Sequence, residues 1–337
     1  MDELQPPSQP KILVIRLSSI GDIVLTTPIV RAIKTQVEGG AFVHYLTKEA
    51  NVPVIKPNPY IDKIHVYNSA DLPSLIRELA AENFDVIIDL HNNHRSRQVI
   101  RHLKVPHFTY RKYTFRRDLC VALKLNFMPD EHIVNRYFQA VFPIDVQNDH
   151  KGLDFVIPEG ADFDEEDLPM VFEDGFVAVV LAGAHATKRI PAMKVVEIGS
   201  ILHKPIMLLG GKDVYEVGEM IVSELGDRAF NGCGKYSLYQ SCSILKQADC
   251  VITGDTGLMH IAAAFQKPIA VLWGNTIPEF GMYPYMPGQR EMFRNFEVCP
   301  LACRPCSKLG RKKCPRKHFK CMNNIPAIEV ADWVNQF

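Results

Sequence analysis

KILVIRLSSIGDIVLTTPIVRAIK, residues 11–34, decides how the rest of this 337-residue chain is read. A short apolar run, Ile12 to Ile15, has the length and β-branching of a buried strand. Ser-Ser-Ile-Gly then turns the chain into a pattern that is apolar on nearly every side, which predicts a helix over 21–36. One carboxylate, Asp22, stands just inside that helix, at the carboxyl end of the strand. Two readings explain it. A negative charge in the first turn of a helix is favoured by roughly 0.3–1 kcal/mol, so Asp22 can be a capping charge. A carboxylate at a strand's carboxyl end, among small and apolar neighbours, can also take a proton from a bound hydroxyl. The turn is not G-x-G-x-x-G, so the dinucleotide fingerprint is absent and an oxidoreductase is disfavoured.

Outward from this stretch, strands and helices alternate. Strands are predicted at 11–16, 41–46, 63–67 and 84–89, with a helix at 71–82 and basic helical and loop segments on to about 142. An acidic, proline-containing stretch, IPEGADFDEEDLP at 157–169, reads as a linker. The alternation resumes with strands at 175–182, 205–210, 249–253 and 268–273 and helices at 191–202, 213–225 and 256–265. Such alternation implies parallel strands with helical crossovers, hence an α/β chain of two doubly wound, Rossmann-like domains, 1–160 and 170–337, facing a cleft. Ligands of such sheets bind outside the carboxyl ends of the strands.

Four further stretches fall at such ends. In VITGDTGLMHIAAAFQKPIAVLWGNT (251–276), a strand ends at Gly254, and Asp255, Thr256 and Gly257 open a helix whose free amides can hold an anion such as a diphosphate. His260 follows within a turn. A capping Asp ahead of a core histidine is the structural alternative, but WGNT brings a second Gly-polar turn to the same edge. In LAGAHATKRIP (181–191), Thr187, Lys188 and Arg189 follow a strand, where a lysine can neutralise a leaving diphosphate; an exposed basic loop is the alternative. DLHNNHRSRQ (89–98) offers Asp89, His91, His94 and Arg95 to an acceptor, and no third ligand nearby supports a metal on the two histidines. CPLACRPCSKLGRKKCPRKHFKCM (299–322) has a zinc-like Cys303-x-x-Cys306 pair, with Cys314, His318 and Cys321 to complete four ligands; free thiols packed in a loop are the alternative.

Composition bounds the partners. Apolar residues make up 47% of the chain, enough for a substantial core, and 38 basic residues balance 38 acidic ones. The longest apolar runs fall well short of the roughly 20 residues that span a bilayer. The opening MDELQPPSQP lacks the basic and apolar regions of a secretory signal, so a soluble, cytosolic protein is expected. Between Asp89 and Asp118 every charged residue is basic, Arg95 and Arg111 to Arg117 among them, and a second basic block runs from Cys299 to Lys320. Two such blocks suggest a positive face for a phosphorylated substrate or a membrane surface, against the alternative of two solvated loops. The basic cysteine tail also keeps open a nucleic-acid-binding protein, although a near absence of aromatic rings argues against nucleic acid as a partner. Nine cysteines in a cytosolic chain point to thiols or metal rather than disulfides.

Together, residues 11–34 and DTGLMHIAAAFQKPIAVLWGNT resemble the two ends of glycosyltransferase family 9, the ADP-heptose:lipopolysaccharide heptosyltransferases. The tail CRPC…CPRKHFKCM is similar to that of the heptosyltransferase II branch. The resemblance implies a GT-B fold and an inverting, metal-independent transfer of heptose from ADP-heptose to a lipopolysaccharide core or another lipid-linked anionic saccharide, with no cofactor required. It implies Asp22 as general base and Lys188 facing the donor diphosphate. Gly21, Thr187, Asp255, Thr256, Gly257 and His260 fall to the donor, and Asp89, Arg95 and Arg136 to the acceptor. The expected place is the cytoplasm, with peripheral contact at the inner face of the membrane. The turn DLHNNHRS departs from the family's more usual Gly-containing turn after Asp-Leu. Another GT-B enzyme, an epimerase or a transferase with a soluble acceptor, would share these features.

Overall fold

β1 (Lys11–Ile15) runs through the middle of a parallel sheet because KILVI is buried almost throughout. The computed structural model describes residues 9–163 and 170–337, so residues 164–169 of the expected linker lie outside the described residues. After β1 the chain forms α1 (Ile20–Val24) and α2 (Thr27–Gln36), two helices where the sequence predicts one. The break has a local cause. The hydroxyls of Thr26 and Thr27 donate back to the carbonyls of Ile23 and Val24, and Pro28 has no N–H to continue the ladder. Then follow β2 (Phe42–Thr47), α3 (Val52–Ile55), β3 (Lys63–Val66), α4 (Leu72–Ala81), β4 (Val86–Asp89), α5 (His94–Leu103) and β5 (His107–Thr109). The strands pair in the order β3-β2-β1-β4-β5, all parallel. Leu13, Ile15, Leu46, Ile87 and Val99 are among the residues of its core.

Two compact units divide the chain. One takes the residues up to Lys112 together with Ile133–Val156, and the other takes Tyr113–His132 and everything from Ile157 on. The inserted segment carries α6 (Thr114–Leu123), and Cys120 and Met128 pack on Ile277 and Phe280 of the second unit. α7 (Ile133–Phe138) returns to the first unit.

The second unit continues with β6 (Val177–Val180), α8 (Ala192–Gly199), β7 (Ile206–Leu209), α9 (Tyr215–Leu225), β8 (Ala229–Asn231), α10 (Leu238–Gln247), β9 (Cys250–Thr253), α11 (Gly257–Ala264), β10 (Ile269–Trp273), β11 (Phe293–Glu297), α12 (Lys320–Asn323) and α13 (Ala327–Val334). Its six-stranded sheet has the order β11-β10-β9-β6-β7-β8, again all parallel. Chain order reverses across β1 and β4 in the first sheet and across β6 and β9 in the second, which are the crevices where doubly wound sheets receive ligands. No helix among the described residues is long and apolar enough to cross a membrane.

Candidate active site

In the first unit the loop after β1 delivers Asp22 to this reversal. Ser19 donates to Asp22 Oδ2 through its amide (3.0 Å) and its hydroxyl (2.8 Å), so the carboxylate does cap α1. Its other oxygen, Oδ1, lies 2.5 Å from Arg16 Nη2. Arg16 is buried, donates to the carbonyls of Ser18 and Leu90, and lies against the Tyr137 ring. Burial alone would lower its pKa, but Asp22 and the nearby tyrosines more than reverse this, and the guanidinium stays charged. Arg16 thus ties the ends of β1 and β4 together and fixes the orientation of Asp22. The sequence reading passed over it, although an arginine directly after a buried strand was the signal. Gly21 is buried in the first turn of α1.

At the end of β4, Asp89 is 2% exposed. Its carboxylate accepts from the amides of His91 and Asn92 and from the Ser96 hydroxyl. These bonds make it the anchor of the turn, where the sequence suggested an acceptor contact. Beside it His91 is buried, with Nδ1 lacking any hydrogen-bond partner. Burial, together with Arg16 and Lys112, pushes its pKa down to about 3, so the ring is neutral near pH 7. Arg95 is half-buried in the first turn of α5. Arg136, expected on the acceptor side, is enclosed in α7 at 1% exposure.

In the second unit three strand ends converge. Lys188, in a short 3-10 turn after β6, reaches Asp255 after β9 with Nζ 2.6 Å from Oδ2. The Thr276 hydroxyl, after β10, donates to the same oxygen at 2.9 Å. Thr256, not Asp255, caps α11: its Oγ1 accepts from the Met259 amide. Asp255 is thereby released from capping to hold the lysine. Two glycines are required by this arrangement. A Cβ on Gly254 would stand 2.3 Å from the Lys188 carbonyl oxygen, and one on Gly274 would stand 2.5 Å from the Thr187 carbonyl oxygen. The Lys188 turn therefore lies directly on the backbone of both neighbouring turns. Gly257 opens α11 and His260 is buried one turn in. Thr187 bonds Arg311: its amide and hydroxyl meet the Arg311 carbonyl, and the Arg311 amide returns a bond to its hydroxyl. Arg189 bonds Gly183 and Asp213 and braces the loop.

The site is thus an ammonium group, a helix amino end and close-packed glycine turns at a sheet reversal, an arrangement suited to a phosphorylated ligand. The family model of glycosyltransferase family 9 (heptosyltransferase) matches residues 72–311. The chain belongs to glycosyltransferase family 9. Lipopolysaccharide heptosyltransferase 1 of Campylobacter coli is 24% identical over 292 residues, 79% of this chain and 84% of that one. The crystal structure of a family 9 glycosyltransferase from Veillonella parvula superposes with a TM-score of 0.74 at 19% identity, covering 97% of this chain and 96% of that chain. The E. coli ADP-heptose LPS heptosyltransferase II superposes with a TM-score of 0.69 at 18% identity over 97% and 98% of the two chains. The two Rossmann-like sheets are accordingly of the GT-B type, and this family 9 member is a glycosyltransferase.

Proposed function

We propose that this family 9 enzyme transfers a heptose, with inversion and without a catalytic metal, from ADP-heptose to a lipopolysaccharide core or another lipid-linked anionic saccharide. The observation that carries the reading is the Lys188–Asp255–Thr276 cluster at the β6/β9 reversal, beside the Thr256-capped end of α11. The donor diphosphate accepts from the Lys188 ammonium and the first amides of α11, which supply the positive potential that a metal provides elsewhere. Asp255, already committed to Lys188 and Thr276, acts by holding the lysine.

Asp22, oriented by Arg16 and Ser19, takes the proton of the acceptor hydroxyl. That oxygen attacks the anomeric carbon from the face opposite the leaving group, the bond from that carbon to the diphosphate oxygen breaks, and its electrons pass to the diphosphate. The contacts with Arg16 and Ser19 fix the orientation in which the carboxylate meets the acceptor hydroxyl. Arg95 and the other cations near α5 serve the anionic acceptor. Membrane contact falls to α6 and the residues after it, where Phe115 is 73% exposed, Leu123 56% and Leu125 61%, with Arg116 exposed among them.

A thermal-shift series with ADP, UDP, GDP and CDP, each at equal concentration and without added divalent metal, tests the donor. A nucleotide at a hundred times its dissociation constant adds about 2.7 kcal/mol of stability. Stabilisation by ADP alone is expected. Equal stabilisation by all four would remove ADP as the donor nucleotide, and stabilisation by none would sink the reading of the Lys188 cluster.

A further inference from the structure

Between β11 and α12 the chain carries no helix or strand. Irregular loops longer than about 12–15 residues are uncommon in compact domains unless something holds them. This one is held by polar bonds at its edges: the buried Arg304 donates to the carbonyls of Gly274 and Thr276, Arg311 exchanges bonds with Thr187, and from the α6 segment Arg117 and Lys124 donate to the carbonyls of Lys308 and Pro305 while Asp118 pairs with Lys308. It is also strongly basic, from Lys308 to Lys320, so its own charges oppose compaction.

Inside the loop lies a cavity of about 230 Å³. Cys303, Cys306, Cys314 and Cys321 all line it, as does His318, whose Nε2 is 3.9 Å from Cys303 Sγ. None of the nine cysteines is in a disulfide, and Cys120, Cys233, Cys242 and Cys250 are buried elsewhere in the chain. Lys124, Arg304, Arg311 and Arg316 line the same cavity and bring positive charge to its wall. Asn275 also faces it: 1% exposed, with neither its amide nitrogen nor its amide oxygen hydrogen-bonded. A buried carboxamide with both ends unsatisfied marks a place for a polar occupant.

We infer that this cavity holds one thiophilic metal ion, zinc or ferrous iron, on thiolates of Cys303, Cys306, Cys314 and Cys321, with His318 beside Cys303 as the alternative fourth donor. Soft thiolate ligands select such ions, and four thiolates around a divalent ion leave two negative charges for the surrounding arginines and lysine. The Asn275 amide is placed to donate to a ligand sulfur, the kind of outer contact that orients metal ligands. Among the described residues the one trio of donor atoms within 4.8 Å of each other is His44, His65 and Glu82, and those are spent on one another, on Glu78 and on Lys63. The thiols stand wider, around the cavity, so binding contracts the loop onto the ion. The ion is structural: through Arg311 and Thr187 it steadies the turn that carries Lys188, a consequence that rests on the donor-site reading above.

Metal content tests the site without reference to any nucleotide. The reduced full-length chain is loaded separately with zinc, ferrous iron and cobalt, desalted, and assayed for metal and acid-labile sulfide. Expected are about one equivalent of ion per chain without sulfide, thiolate-to-cobalt charge-transfer absorption in the cobalt form, and retention in Cys299→Ala. Cys303→Ser/Cys306→Ser loses the ion; should that variant fail to fold, the wild-type cobalt spectrum and Cys314→Ala answer the same question. No stoichiometric ion, or ion retained in the cysteine variants, overturns the site. Iron with labile sulfide overturns the single ion in favour of a cluster. A separate ADP titration of metal-free and loaded protein reads the link to Lys188: weaker binding without metal is expected, and equal binding overturns the link alone.

Discussion

Gly254→Ala perturbs the donor site without touching a charged group. The new Cβ would meet the Lys188 carbonyl oxygen at 2.3 Å, against an ordinary contact of 3.4 Å or more. Backbone lies on both sides, so no side chain can swing aside, and the Lys188 turn must retreat by about 1 Å, which in a packed interior costs about 1–3 kcal/mol. The larger effect is on geometry. Lys188 is held to Asp255 at 2.6 Å, and a displacement of this size at a reacting centre lowers turnover by about a hundredfold. Gly199→Ala in α8 is the matched control: its Cβ would meet Leu225 Cδ1 at 2.7 Å, a similar overpacking against a flexible side chain. With ADP-heptose and a heptose-deficient lipopolysaccharide, kcat and the urea midpoint are measured for both variants. Gly254→Ala should lose turnover far beyond its loss of stability, while Gly199→Ala loses stability only. If Gly254→Ala keeps kcat within about threefold of wild type, the claim that the Lys188 turn is positioned by its contact with this glycine is wrong.

Arg31→Met should lower the stability of the first unit by about 3–5 kcal/mol, because Arg31, 5% exposed, is the shared partner of Asp149 and Asp154; urea denaturation measures it, with recovery expected on adding Asp149→Asn and Asp154→Asn. The pKa of His91, depressed from 6.5 to about 3 by burial and by Arg16 and Lys112, means that the unfolded chain takes up a proton between these values while the folded chain does not. Stability should therefore fall as pH drops below about 6.5, by up to about 1.4 kcal/mol per unit, and His91→Gln should flatten that slope. Phe115→Ser with Leu125→Ser should weaken flotation with anionic vesicles while leaving ADP binding unchanged; unaltered flotation would remove α6 from the membrane contact.

The motif positions were legible because they follow from parallel-sheet physics. A buried strand, a tight turn and a polar residue at the strand's carboxyl end can be read from a single stretch, as with Asp22, Lys188 and Asp255. What those residues do to one another was not legible. The pairing of Lys188 with Asp255 joins two strand ends separated by a long stretch of chain, and only the sheet order β9-β6 makes them neighbours. Thr187 and Asp89, expected to meet ligand because they stand at such ends, also hold their own loops, a role that depends on partners the linear pattern does not show. Short strands also escaped: β5, β8 and β11 have three to five residues and little apolar alternation. The division of residues 21–36 into two helices turned on hydroxyl back-bonding at Thr26 and Thr27, a contest that apolar periodicity does not register.

The central claim is that Asp22 removes the acceptor proton in a transfer from ADP-heptose. Its most direct test is single-turnover transfer by wild type and Asp22→Asn, with ADP affinity measured in parallel on the same preparations. The account predicts transfer by wild type with inverted anomeric configuration, a loss of at least about a hundredfold in Asp22→Asn, and equal ADP affinity in the two. Transfer by Asp22→Asn at more than about a tenth of the wild-type rate would contradict it.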